Sequence, residues 1–233
     1  MLTATIGALV LVAVFIALGV WQVQRLAWKA ELIAQVDSRV HAAPTPAPGP
    51  ADWPKISREN DQYRQVFARG VYLHDHETLV QAVTDLGAGF WVLTPMRTDQ
   101  GFDVLVNRGF VPADRRKAGT RAAGQLAGEQ DVTGLLRITE PHGGFLRAND
   151  PANDLWRSRD VAAIAAARGL TKVAPYFIDA GAGPNPGGWP RGGLTVVRFP
   201  NSHLAYALTW FGMAILTLVG WVILMRHRRG DER

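Results

Sequence analysis

Three side chains near one end of an apolar stretch could do chemistry together: His203, Tyr206 and Trp210. On a helix they fall at i, i+3 and i+7, on one face. A neutral imidazole in that place can ligate haem iron axially, and the flanking aromatics could pack on a porphyrin. The same pattern also suits an interfacial histidine beside ordinary belt aromatics. Ionisable groups inside an apolar helix are costly and are usually placed for a reason.

A second cluster is "LHDHE", Leu73 to Glu77. On a strand, His74 and His76 would share a face, and imidazoles suit copper or zinc. Two histidines without a convincing third ligand fit a solvated turn at least as well. No nucleophile–base set stands out, and no GxSxG, phosphate-cradling glycine loop or HExxH motif occurs. The glycines of Gly183–Gly193 alternate with prolines and open no helix, so they read as a loop. The chain has no cysteine. That excludes thiolate copper sites, iron–sulfur clusters and CxxCH haem attachment.

Two apolar segments must position His203 and its neighbours. Leu2–Val23 is apolar except for Thr3, Thr5 and Gln22, and Leu204–Met225 is apolar apart from Tyr206, Thr209, Thr217 and its tryptophans. Each would make a helix about 33 Å long, enough to cross a bilayer core of about 30 Å. The first lacks a basic n-region and a small-x-small cleavage site, so it reads as a retained anchor. The arginines of "RHRRGDER" after Met225 place that end in the cytoplasm. Two spans put the N-terminus there too and the middle domain outside, periplasmic in a bacterium or in the intermembrane space of a mitochondrion; the expected location is the bacterial inner membrane, multi-pass, with both termini cytoplasmic and the middle domain periplasmic. The net charge of +5 could suggest nucleic acid, but the basic residues are scattered, so no nucleic-acid partner is expected. The lipid bilayer is.

The expected organisation is a transmembrane helix over 2–24 and a juxtamembrane helix over 25–42. A Pro-rich linker over 43–62, an extracytoplasmic domain over 63–200, a second transmembrane helix over 203–225 and a basic tail over 226–233 follow. In the juxtamembrane part Trp21, Arg25, Trp28 and Leu32 form one helical stripe, readable as an interfacial anchor. The domain shows strand patterns at Tyr63–Leu73, Glu77–Val83, Gly89–Thr98, Phe102–Val111, Asp131–Ile138, Pro175–Ala180 and Leu194–Phe199. One helix is marked by Asp160 as N-cap and Gly169 as stop. The expected fold is a membrane protein: two transmembrane helices flanking one α+β domain. That domain is a mainly antiparallel sheet or small barrel with one or two helices.

The blocks "LGVWQVQRLAWKAELI" (Leu18–Ile33), "YRQVFARGVY" (Tyr63–Tyr72) and "GFWVLTPMRTDQGFDVLVNRGFVP" (Gly89–Pro112) carry a resemblance. So do "VTGLLRITEP" (Val132–Pro141), "NDPANDLWRSRDVAAIA" (Asn149–Ala165), "APYFIDA" (Ala174–Ala180) and "NSHLAYALTWFGMA" (Asn201–Ala214). In this order, between two apolar segments, they make the chain resemble the Surfeit locus protein one family. These are membrane proteins that assist assembly of haem–copper cytochrome c oxidase. Phe110 stands where many relatives have Trp, which implies a packing difference.

The resemblance implies a non-enzymatic protein. Bacterial members bind heme a and help it reach the oxidase, with a histidine of the second span as proposed ligand; that motif falls on His203. The implied partners are the cytochrome c oxidase core subunit and haem a synthase. The alternative is a cofactor-free scaffold that stabilises the nascent core subunit. Under the haem reading, Tyr206 and Trp210 line the site, Trp21 faces them, and Arg25 and Arg198 flank it near the propionates. The two arginines suit lipid phosphates equally well. Arg108, at the end of an apolar strand, is expected to pair inside the domain with Asp150 or Asp179.

Overall fold

A computed structural model describes residues 2–141, 143–144, 147–197 and 199–231. Arg198 and the last two residues of the tail lie outside them. The chain divides into two units: Met1–Gln35 with Val197–Arg233, and Val36–Val196.

The second unit begins within helix α1 (Leu2–Val40). It continues through β1 (Thr45–Pro46), the short α2 (Arg58–Asp61) and β2 (Gln65–Tyr72). Then come β3 (Thr78–Thr84), β4 (Gly87–Thr98), β5 (Asp103–Pro112), β6 (Glu129–Ile138), α3 (Val161–Ala167) and β7 (Val173–Ala180). The strands lie in the order β1-β2-β6-β7-β5-β4-β3, and a further β2–β4 pairing closes β2, β6, β7, β5 and β4 into a small barrel. The pairings are antiparallel except β1–β2 and β5–β7.

Period-two patterning explains the interior. In β2, Val66, Ala68 and Tyr72 point inward, while Phe67 and Val71 face out. They join Met96, Val104, Val106, Leu136, Tyr176 and Ile178 in the barrel core. The intervening rows of β5 and β7 are buried too: Leu105 and Phe177 lie under Val161 and Ile164 of α3, with Trp156 alongside. Burying each such large side chain contributes about 1.5–3 kcal/mol. Asp160 caps α3 by accepting from Ala163 N at 3.1 Å, and Gly169 ends it at φ +67°. The β4–β5 hairpin turns at Gly101, φ +76°, as Asp99-Gln100-Gly101 implied.

Closure depends on one glycine. A Cβ on Gly70 would stand 2.1 Å from the Arg97 carbonyl oxygen, where β2 meets β4. No real side chain fits there.

The structure departs from the sequence reading in two places. The apolar run Leu194–Phe199 forms no strand in its described residues. Thr195 donates to Asp179 of β7 at 3.0 Å, and β7 already has β5 and β6 on its two edges, so no edge is open. Within 43–62, expected as a linker, the chain packs on the barrel instead of running free. Ala47 is buried, Pro48 O accepts from Tyr176 Oη at 2.7 Å, and Trp53 stands edge-on to Phe102 at 5.6 Å.

The first unit pairs α1 with α4 (His203–Asp231). Thr5 accepts from Trp221 Nε1 at 3.3 Å, Phe15 stacks on Trp210 at 5.8 Å, and Gln22 meets His203. Low numbers on one helix meet high numbers on the other, so the helices run antiparallel. Gly19 lets Phe211 approach: a Cβ there would be 2.5 Å from the ring. Ala207 and Ala214 are buried in the seam, and the outward faces carry exposed Leu, Ile and Val. Both helices are long and apolar enough to cross a membrane.

Candidate functional site

His203 opens α4, with Ser202 O accepting Tyr206 N–H at 3.2 Å. Its Nδ1 lies 2.7 Å from Gln22 Oε1 on α1. An oxygen facing Nδ1 requires a proton there, so Nδ1 donates. In the neutral ring Nε2 then carries the lone pair, and it has no hydrogen-bond partner among the described residues. Gln22 is 8% exposed, in a helix whose neighbouring positions are mostly open. A buried amide is expensive unless it is hydrogen-bonded, and His203 supplies that bond.

The remaining expected site residues divide. Trp210 lies in the helix seam against Phe15, with planes 24° apart. Tyr206 and Trp21 are half exposed, at 55% and 50%, so both offer aromatic surface beside the pair. Arg25 lies over the Trp28 ring at 4.4 Å, a cation–π contact within its own helix. Arg198 lies outside the described residues. Gln22 is the residue that sequence reasoning passed over. Its signal was a polar amide interrupting an apolar run one turn before Arg25.

The "LHDHE" cluster is a 3-10 turn, His74–His76. His74 Nε2 meets Leu126 O at 2.9 Å, and His76 Nδ1 meets Arg168 O at 3.0 Å. Glu77 is bound on both oxygens by Arg121, one contact at 2.8 Å. These side chains tie the turn to the barrel. No group of three metal-ligating residues occurs among the described residues.

Arg108 takes neither carboxylate expected for it. Asp179 is saturated. Asn107 Nδ2 donates to it at 2.7 Å, Arg137 at 2.5 Å, Arg159 at 3.2 Å and Thr195 at 3.0 Å. Arg159 also grips Glu140 with bonds of 2.6 and 3.0 Å. Asp150 turns to Asn153, accepting its side-chain amide at 2.8 Å. That bond holds the Asp150 carboxyl below the usual carboxylate range. Arg108 instead donates to Gly124 O and lies over the Tyr72 ring at 4.8 Å.

Comparison with known proteins bears on the whole chain. The SURF1 family profile matches residues 9–215. Surfeit locus protein 1 of Homo sapiens is 39% identical over 88% of this chain and 71% of its own length. The Rattus norvegicus protein of that name is 40% identical over 88% and 70%. The SURF1-like protein of Monosiga brevicollis is 37% identical over 93% and 84%. A match this long, running through both terminal helices and the barrel, shows that the chain belongs to the SURF1 family.

Proposed function

We propose that this protein is a membrane-bound assembly factor for haem–copper cytochrome c oxidase that holds heme a on His203 and helps it reach the core subunit. Family membership supports the assembly role. One observation carries the haem reading: Gln22 fixes the His203 tautomer and leaves Nε2 as the free ring nitrogen. A ring already oriented by a second group is how protein ligands to metals are commonly held.

When bound, heme a would supply an iron that His203 would hold through Nε2. Everything else is done by this chain. Gln22 orients the ring and holds the Nδ1 proton. Tyr206 and Trp21 offer aromatic surface near it, and Trp210 stiffens the seam through Phe15. Arg25 and Arg198 are placed in the sequence to meet the propionates. A single imidazole suits a carrier that must also release its cargo. The core subunit and haem a synthase are the partners this role implies, and catalysis is not part of it.

In the proposed topology both helices cross the inner membrane of a bacterium, with the barrel unit periplasmic. The arginines after Met225 support that orientation. Alkaline phosphatase fused at the exposed Gly119 should be active, and fused at Gly230 inactive. The reverse pattern would sink the orientation. The haem reading is tested by the absorbance spectrum of the full chain purified from cells that also make heme a. A spectrum without haem bands would favour the cofactor-free scaffold.

A further inference from the structure

We propose that the barrel unit carries a second binding site, a cavity beside Arg108 that takes a small carboxylate or phosphate also bearing a hydrogen-bond donor. The cavity is about 520 Å³ and is lined by Tyr72, Arg108, Thr133, Asn185, Gly192 and Thr195, among others. That is within the size range of small-molecule sites and larger than a bare phosphate needs.

Arg108 is 6% exposed, and among the described residues no carboxylate lies in ion-pair range of it. Nη2 donates to Gly124 O, while Nη1 is enclosed and meets no acceptor. A buried guanidinium with no ion-pair partner is costly, and burial pushes its pKa down against the weaker opposing pull of Tyr72 and Glu77. The neighbours cannot supply the charge. Glu77 is held on both oxygens by Arg121. Tyr72 lies beneath the guanidinium, but burial pushes its phenol up to about 12, so it stays neutral. Two carboxylates share the cavity wall, and both are answered: Asp179 by its four donors, and Asp131 by Arg69 at 2.7 and 3.1 Å.

A second vacancy has the opposite sense. Asn185 spends its amide nitrogen on Pro190 O at 2.8 Å, and its Oδ1 is enclosed without a donor. Asn185 and Arg108 meet at Gly124: the carbonyl there takes the Arg108 bond, and its Cβ position lies 3.3 Å from Asn185 Nδ2. The wall around Gly124 thus lacks one anionic acceptor, at Arg108, and one donor, at Asn185. A phosphate monoester or a hydroxy-carboxylate offers both. The loop that forms this wall is tightly seated. A Cβ on Gly193, φ +71°, would be 2.5 Å from Ala182 Cβ.

The test uses the full chain in nanodiscs, with inorganic phosphate, glycerol 3-phosphate and lactate as probes, read by calorimetric titration and thermal unfolding. At least one probe should bind near one-to-one and raise Tm with concentration. The ranking of glycerol 3-phosphate against lactate assigns phosphate or carboxylate. Arg108→Lys should weaken binding at least about tenfold, because an ammonium lacks the planar fork. Asn185→Asp places a carboxylate on the same cavity wall as Arg108. It should lose anion affinity by a similar factor and raise the Tm of the ligand-free protein. This second variant decides the matter if Arg108→Lys does not fold. No binding of any probe up to about 10 mM, or unchanged affinity in Asn185→Asp, would overturn the proposal.

Discussion

The barrel interior and the helix pair treat polar groups in opposite ways. Around Asp179, four donors from four parts of the chain meet one carboxylate, and Glu140 balances the second arginine. That carboxylate has nothing left to offer a ligand. In the helix pair, one amide meets one imidazole, and the other ring nitrogen has no partner among the described residues. Saturated polar groups specify a fold. A half-satisfied pair in an apolar setting keeps bonding capacity in reserve. Arg108, with Asn185 beside Gly124, departs from that pattern inside the barrel unit and resembles His203 more than the Asp179 network.

Breaking the saturated side should give the largest effect. Asp179→Asn leaves Arg137 and Arg159 with Glu140 as their shared carboxylate. Unpairing buried charges of this kind costs about 3–5 kcal/mol. Tm should fall by roughly 10 °C in a chain of this size, while haem binding per folded molecule stays unchanged. A drop of only a degree or two would mean that the network is not structural.

Gly70→Val should cost about 3 kcal/mol, because the new side chain meets the Arg97 carbonyl where the barrel closes. Its signature is lost folded protein, checked by circular dichroism and protease resistance. Wild-type resistance would mean that β2 and β4 can separate there without penalty.

The half-satisfied side predicts a smaller and different effect. Gln22→Leu frees the imidazole to turn and choose its tautomer. Heme a affinity should drop about tenfold, within the range for lost outer-shell partners, with Tm nearly constant. The smallest effect concerns Asp150, whose carboxyl is held low by Asn153. A depressed carboxyl stabilises above its unfolded value, near 3.9, and loses that contribution as pH falls through its folded value. The Tm difference between wild type and Asp150→Asn should therefore be small and positive at pH 7 and vanish by about pH 2. A difference that grows on acidification would contradict the assignment.

Much of the fold was legible from local pattern. The strands at 65–72, 103–112 and 173–180 announce themselves by apolar runs and alternation, and α3 by its Asp160 cap. What stayed hidden depends on distant pairings. Barrel closure rests on β2 meeting β4, and no local pattern encodes it. The contact of Pro48 with Tyr176 joins residues far apart in the chain, so the proline segment read as a linker. Leu194–Val197 has the composition of a strand but finds no open edge. At the candidate site, His203 was legible because a histidine in an apolar helix stands out. Gln22 was visible as an interruption, but its role depends on helix pairing, which composition does not give. Arg108 was read as a paired residue because a polar group ending an apolar strand must be used or solvated; the structure gives Asp150 and Asp179 to other donors.

The central claim is that His203 holds heme a. Its most direct test compares wild type with His203→Ala, each purified as the full chain from cells making heme a, by haem absorbance per mole of protein. The account predicts haem a in the wild type and none above background in the variant. Both proteins should stand at equal levels in the membrane. Undiminished haem in His203→Ala would contradict it.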